Sequence, residues 1–348
     1  MENVKPTIKD IAALAGVSIP TVHKAIYGKP GVSEKTREKI LQITGHLNYK
    51  VNVAASRLKR GTLVFAVVLP LLPHDSNQFF RKIWEGIDVA EKLMQDYNVV
   101  LDRMPCGRIS ADQIPIFENI LARDDIHGVL TYCWDDSSLN PYFSQLAEKG
   151  IPVVTVDSDA VGSCRVGCVR PSGHRTGRLA AELLAKMIPK EGRVLFMSGN
   201  HKMKLLRDNS RGFRDYLTEA RSGLAILDIS NACGILSLED TLVQELQAHS
   251  DIIGIYCNSA SNVLSMCRAL KRVGCGNSVI SIASDIFEEM IPYIEDETVN
   301  ATIWQAPELQ SKDAIWMLYE HISGQAVSED VRYVPLGIVM KNNFYDYL

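Results

Sequence analysis

At 348 residues, 46% of them apolar and 22% charged, the chain is long enough for two or three domains with their own cores and too apolar to be disordered. No stretch approaches the ~20 uninterrupted apolar residues of a membrane helix, and residues 1–30 lack the apolar block of an export signal, which predicts a cytoplasmic protein with no membrane partner. Charge is divided unevenly: the first 61 residues hold 11 Lys and Arg against 4 Asp and Glu, and subtraction from the chain's 37 and 41 leaves 26 against 37, so a head of +7 joins a body of −11. That split is expected when one end meets a polyanion and the rest does something else.

In chain order, "TIKDIAALAGVSIPTVHKAIYG" from Thr7 opens with a capping pattern, Thr7 with Asp10, and then repeats Ile8, Ile11, Ala12 and Ala15 at helical spacing. Gly16 ends that helix, Ser18 stands where it can cap a second, and Pro20 falls in the first turn, where a missing N–H costs little. Val22, Ala25 and Ile26 share one face of the second helix; Pro20, Thr21, His23, Lys24 and Tyr27 share the other. A third helix from Ser33 is expected to bury Ile40, Leu41, Thr44 and Leu47. Helix, short turn with Gly, helix and bracing helix is the geometry that lays a second helix in a DNA major groove, although small helical corners of this kind are also common without DNA. The continuation "NYKVNVAASRLKRG" puts Asn52 in a capping position and Ala54, Ala55 and Leu58 on one side of a helix too short to be stable alone. Small alanines with one leucine suit a close-packed helix pair at a minor groove, with the leucine as a wedge between base steps.

Those first sixty residues resemble the lactose/galactose repressor family of bacterial regulators. "TIKDIAALAGVS", Thr21-Val22, "GVSEKTREKI", "LNY" and "NVAASRL" carry the likeness. It implies that residues 20–24 read bases, that Thr7, Ser18 and Thr36 hold phosphates, and that Leu58 levers the minor groove. The DNA-contacting set is then Thr7, Ser18, Pro20, Thr21, His23, Lys24, Tyr27, Thr36, Asn52, Ala55 and Leu58. The family's usual Ser-Arg after "TV" is His23-Lys24 here, and its usual Asn at the end of that helix is Tyr27. Lys24 can bond guanine edges but lacks the bidentate fork of Arg.

From Leu63 short apolar runs alternate with helical stretches. "LVFAVVLP", "NVVL", "HGVLTYCW", "IPVVTVD", "VGCV", "RVLFMSG", "LAILDIS", "IIGIYCN" and "SVISIAS" read as strands, with helices near 79–96, 112–123, 139–149, 173–188, 208–220, 237–248, 261–273 and 286–293. About ten strands alternating with helices call for parallel, doubly wound sheets in two lobes, with ligands at the carboxyl ends of the strands. Polar and aromatic residues gather there: Asn77, Phe80, Trp134, Asp157, Asn258, Asp285 and Gln305. Each alone has a bland reading as a loop residue. Together, carboxylates and amides for hydroxyls and rings for apolar faces make a cleft fit for a sugar.

The body also resembles that family's effector domain, which is similar to periplasmic sugar-binding proteins. "SNQFF", "VTVD", "TGRLAAELL", "SRGFRDYL", "IYCNSASN", "SIASD" and "VPLGIVMKNN" carry this likeness. Asn209 stands where many members hold ligand with Arg, and Arg207 is a substitute two residues earlier; Ser172-Gly173 replaces a common Asp-Asn. The expected organisation is a helix-turn-helix head (1–50), a hinge helix or linker (51–61), and an effector-binding and dimerisation domain (62–348). Within the last, the first lobe would take about 62–160 and 295–325, the second about 165–290 and 328–345. The implied function is a repressor working as a homodimer on a pseudo-palindromic double-stranded operator, its affinity set by a small, carbohydrate effector. An alternative is a sugar-binding or sensing protein without regulated DNA recognition, which the +7 head and hinge argue against. An enzyme is a further class: Cys133, His174 and His201 are nucleophile and acid-base types, but no nucleophile elbow, phosphate loop, dinucleotide fingerprint or metal-spaced His pair accompanies them. No catalytic residue, metal or cofactor is expected. The eight cysteines include no CxxC pair and read as packed, reduced thiols.

Overall fold

The computed structural model describes residues 8–26, 31–47, 61–71, 78–188, 191–199, 203–220, 223–230, 237–276, 278–325 and 329–348. The head is three helices: α1 (Ile8–Ala15), α2 (Ile19–Ile26) and α3 (Glu34–His46). They share one small core of Ile11, Ala12, Ala15, Val22, Ala25 and Ile40, with Val17, Val32, Ile43 and Leu47 packed against it. α1 stops where Gly16 turns left-handed (φ +69°). The Gly16 and Val17 N–H groups then reach back to the Ala13 and Ala12 carbonyls at 3.3 and 3.1 Å, the paired bonds that close a helix over a glycine. Ser18 and Ser33 cap the next two helices, their hydroxyls accepting the Thr21 and Thr36 N–H groups. From α3, Arg37 and Lys39 donate to the Ala25 and Ala15 carbonyls, each at 3.0 Å, so cations sit on the negative ends of α2 and α1. Leu41, expected in this core, is exposed; counting from Ile40, helical phase turns Ile43 and Leu47 inward instead.

The body contains β1 (Leu63–Val68), α4 (Gln78–Gln95), β2 (Val99–Arg103), α5 (Ser110–Ala122), β3 (Gly128–Thr131), α6 (Asp136–Glu148), β4 (Val153–Val156) and β5 (Gly167–Arg170). These are followed by α7 (Gly173–Met187), β6 (Gly192–Ser198), α8 (Lys204–Glu219), β7 (Leu224–Ser230), α9 (Leu238–Ala248), β8 (Ile252–Cys257), α10 (Ala260–Val273) and β9 (Ile280–Ser284). The last stretch is α11 (Ile291–Glu295), β10 (Ala301–Trp304), α12 (Pro307–Ile322), β11 (Val331–Tyr333) and β12 (Gly337–Val339). One sheet runs β11-β5-β4-β3-β1-β2 and the other β12-β10-β9-β8-β6-β7. All pairings are parallel except β10 with β12. β3, β4, β5 and β8 are buried along their whole length, which is why they read as unbroken apolar runs rather than alternating ones.

Three strands lie in the other lobe from the one expected. β5 and β11 belong to the first sheet, although residues from 165 and from 328 were placed in the second lobe; β10 belongs to the second sheet, although 295–325 was placed in the first. The described chain passes between lobes after β5, after β10 and after β11. Apolar periodicity says that a segment is a strand but not which sheet it joins. α12 does return to the first lobe, where Ala314, Ile315, Met317 and Leu318 pack with Ile83 and Ile87 of α4.

In the second lobe α7 and α8 cross at contact distance through two glycines. A Cβ on Gly177 would overlap the Asn209 carbonyl, and one on Gly212 the His174 carbonyl. This crossing sets the position of the first turns of α8, which face the space between the lobes.

Candidate functional site

A cleft of about 200 Å³ lies between the carboxyl ends of the two sheets, the place where parallel α/β sheets accept ligands. The first lobe contributes Phe79 and Phe80 from the start of α4, Tyr132 and Trp134 after β3, and Asp157 after β4. From the second lobe come Met203 and Asn209 at α8, Asn258 after β8 and Asp285 after β9, with Gln305 where the chain leaves β10 for α12.

Its aromatic wall is built edge to face. Phe80 and Tyr132 have ring centroids 5.1 Å apart, Tyr132 and Trp134 4.7 Å, and Phe79 and Phe80 5.3 Å, all in T-shaped contact. The Trp134 indole N–H donates to the Gly107 carbonyl at 3.2 Å, which fixes the ring. Tyr132 also meets the other lobe, its hydroxyl 3.6 Å from the Met203 sulfur.

Two carboxyls of the cleft stand in matching positions. Asp157 follows β4 and Asp285 follows β9; both have φ +60° and both are 3% exposed. Asp285 is gripped by Gln305 twice, by its backbone N–H to Oδ1 at 3.0 Å and by its side-chain amide to Oδ2 at 2.8 Å. Asp157 has Gln310 and Tyr132 as side-chain hydrogen-bond partners. Burial pushes the Asp157 carboxyl up to about 7, against the pull of the Arg170 charge. Burial likewise pushes Asp285 up to about 8, and the nearby charge of Asp157 adds to the effect.

The two amides differ. Asn258 Oδ1 accepts the Gly199 N–H at 2.9 Å, while its Nδ2, buried at the cleft wall, has no acceptor among the described residues. Asn209 lines the cleft but its amide meets the Tyr256 hydroxyl from both ends, Nδ2 at 2.8 Å and Oδ1 at 3.1 Å. It therefore orders the base of the cleft. Arg207 is exposed and outside the lining: two residues along a helix is a rotation of about 200°, so it points away from the side that Asn209 presents.

Of the residues expected around a ligand, Phe80, Trp134, Asp157, Asn209, Asn258, Asp285 and Gln305 thus come together, and Arg207 does not. Asn77 lies outside the described residues. Tyr132, Met203, Gln78, Arg108 and the Ser259–Ser261 turn also line the cleft. Tyr132 was hidden in an apolar run that reads as a strand, and Met203 precedes α8 with no polar signal.

In the head, Ser18, Pro20 and Lys24 are exposed on or beside α2, and Thr21 and Thr36 are half-buried at the starts of α2 and α3. Thr7, Tyr27, Asn52, Ala55 and Leu58 lie outside the described residues, as does the side chain of His23. No group of His, Cys, Asp and Glu suited to a metal ion occurs among the described residues, and no described helix is long and apolar enough to cross a membrane.

Residues 67–326 match the model of a family described as "Periplasmic binding protein domain", and residues 7–52 match "Bacterial regulatory proteins, lacI family". Among curated relatives, "HTH-type transcriptional repressor PurR" of Vibrio vulnificus is 25% identical over 91% of this chain and 92% of its own. "Catabolite control protein A" of Priestia megaterium is 26% identical over 64% of this chain and 63% of its own. Among solved structures, GanP, a glucose-galactose binding protein from Geobacillus stearothermophilus, superposes with a TM-score of 0.73 at 23% identity, covering 82% of this chain and 99% of that one.

Proposed function

Because the chain belongs to the lacI family of bacterial regulatory proteins, with a periplasmic binding protein domain as its body, we propose that it is a sequence-specific transcriptional repressor whose grip on DNA is set by a small ligand between its lobes. The observation that carries this is the pairing, in one chain, of a helix-turn-helix with an exposed second helix and a two-lobed body with a polar, aromatic-walled cleft. In this reading Pro20, Thr21, His23, Lys24 and Tyr27 meet base edges, Thr7, Ser18 and Thr36 meet phosphates, and Asn52, Ala55 and Leu58 serve a hinge segment at the minor groove.

The protein acts in the cytoplasm as a homodimer on a pseudo-palindromic site. Support for the dimer comes from Val89 and Leu93, one turn apart on the outer face of α4, and Val100 on the edge strand β2, all of them exposed. The effector is a carbohydrate or a relative of one: the lining combines aromatic rings with carboxyl and amide groups, which pair with the apolar faces and hydroxyls of a sugar. Ligand changes the angle between lobes, and with it the spacing of the two hinge segments that must meet on DNA. A coupling of ~1–3 kcal/mol is enough for a several-fold to hundredfold change in operator affinity.

The test is selection of bound duplexes from a random pool at near-physiological salt. An enriched two-fold palindrome, with a steep loss of affinity as salt rises, is the expected result. Absence of any enriched sequence, with or without candidate ligands, overturns the reading and returns the protein to the class of ligand-binding proteins without DNA recognition.

A further inference from the structure

The carboxyls around the cleft are not all matched by cations. Behind Asp157, the carboxylates of Asp157 and Asp159 are matched by two guanidinium groups: Arg165 pairs with Asp159, Arg170 Nε lies 3.8 Å from Asp159, and the Arg170 charge acts on Asp157. Glu308, whose charge also bears on Asp285, shares Lys82 with Glu85, at 3.4 and 2.9 Å. Asp285 is left over. Its oxygens are held by the neutral Gln305, and no cationic side chain pairs with it among the described residues. Arg108 is the only positive charge among the described lining residues, and it is exposed. A buried carboxyl without a partner cation either keeps a proton or waits for a cation from outside.

A second feature narrows the choice. Asn258, a lining residue 3% exposed, keeps its Nδ2 without an acceptor among the described residues, so a ligand that reaches this wall would supply an oxygen there. The rings of Phe80 and Trp134 stand on the same cavity and suit an apolar ring face or the fringe of a cation.

We infer that the ligand of this cleft is a polyhydroxylated amine of sugar size, of which an amino sugar with a free ammonium group is the simplest case. The ammonium sits against Asp285, facing Asp157, a hydroxyl oxygen accepts from Asn258 Nδ2, and a carbon face lies on the aromatic wall. One positive charge matches the one lining carboxyl that has no cationic partner among the described residues. This rests on the reading of the cleft as the regulator's effector site and gives that effector a chemical class.

The experiment is calorimetric titration of the full chain at pH 7 with D-glucosamine, D-galactosamine, D-mannosamine and 1-deoxynojirimycin, each beside its neutral parent sugar, and with N-acetyl-D-glucosamine as the uncharged mimic. At least one free amine is expected to bind about tenfold or more tightly than its neutral counterpart, as a charge-assisted hydrogen bond requires. Asp285→Asn, nearly identical in shape, should abolish that preference. Should that variant fail to fold, Asp157→Asn carries the same expectation in weaker form. Neutral sugars binding as well as the amines, or no amine binding at all, overturns the inference. So does an amine preference that survives in the folded variant. Operator binding, measured on the same samples, keeps the two readings apart: DNA recognition with a neutral effector loses only the charge argument, and amine binding without DNA recognition loses only the repressor.

Discussion

Asp157 and Asp285 illustrate how a strand end becomes a binding group. Each follows a buried strand and takes a left-handed backbone, a conformation that Asp tolerates better than bulkier residues do, so the chain turns while the carboxyl stays at the mouth of the sheet. Their raised values have a consequence for stability. Between the ordinary carboxylate range and about 7 to 8 the native state holds protons that the unfolded chain has released, so stability falls as pH rises through that window and levels off above it. Chemical denaturation of the ligand-free protein from pH 5 to 8 should show this decline, and Asp157→Asn with Asp285→Asn should flatten it; an unchanged slope in the double variant would mean that neither carboxyl is protonated in the native state. The residues also show what a sequence exposes and conceals. Asp157, Asn258 and Asp285 were legible only as a group, because polar residues that recur after successive apolar runs gather at the strand ends where parallel sheets take ligands. Asn209 was legible as a lining residue, but its engagement with Tyr256, forty-seven positions away, follows only from the packing of α8 on the sheet. Tyr132 was illegible because its ring belongs to the core and only its edge to the cleft.

Among elements, the helices and strands that alternate cleanly were readable and the assignment of strands to lobes was not. α12 escaped notice for a physical reason: it packs on both α4 and the first sheet, so polar Gln310 and Ser311 are buried among its apolar residues and the usual one-sided stripe is blurred. Its Ser311 hydroxyl donates to the Ile83 carbonyl at 2.7 Å, which satisfies the buried group and ties the two helices. The α7–α8 crossing is as demanding. Gly177→Ala forces a methyl against the Asn209 carbonyl and should cost roughly 1–3 kcal/mol, read as a lowered midpoint in thermal or urea unfolding, with weaker ligand binding because α8 carries Asn209 and begins directly after Met203. Between lobes, Arg81 of α4 makes a bidentate pair with Glu289 in the turn before α11, at 3.2 and 3.1 Å. Each side chain is about 30% exposed (29% and 31%), so the clasp is worth no more than ~1 kcal/mol. Arg81→Ala should therefore weaken ligand affinity by up to about fivefold without touching the cleft, measurable by the same calorimetry; a loss of folded protein would instead make the pair structural.

At the scale of the whole molecule, the repressor reading requires two chains. Leu93→Asp places a charge in the middle of the apolar strip on α4 and is expected to give a folded monomer in sedimentation, with operator affinity lost because half-sites are no longer joined. A dimer that persists would move the interface elsewhere. The division of charge was the most legible feature of the whole: a basic head and an acidic body can be counted from the sequence, and they keep the body from competing with its own head for DNA.

Gln305 occupies an unusual position. It is the last residue before Ala306, left-handed at φ +54°, where the chain leaves one lobe for the other, and through its backbone N–H and its side chain it is also what Asp285 holds. The carboxyl proposed to meet ligand is thus hydrogen-bonded directly to a crossing between the lobes. If ligand turns the lobes as proposed, whatever draws on the Asp285 oxygens pulls directly on one of the three crossings between them, so the signal has little distance to cover. Selectivity and switching are then hard to tune separately: a change at Asp285 that alters which molecule is recognised should also alter how far the lobes swing.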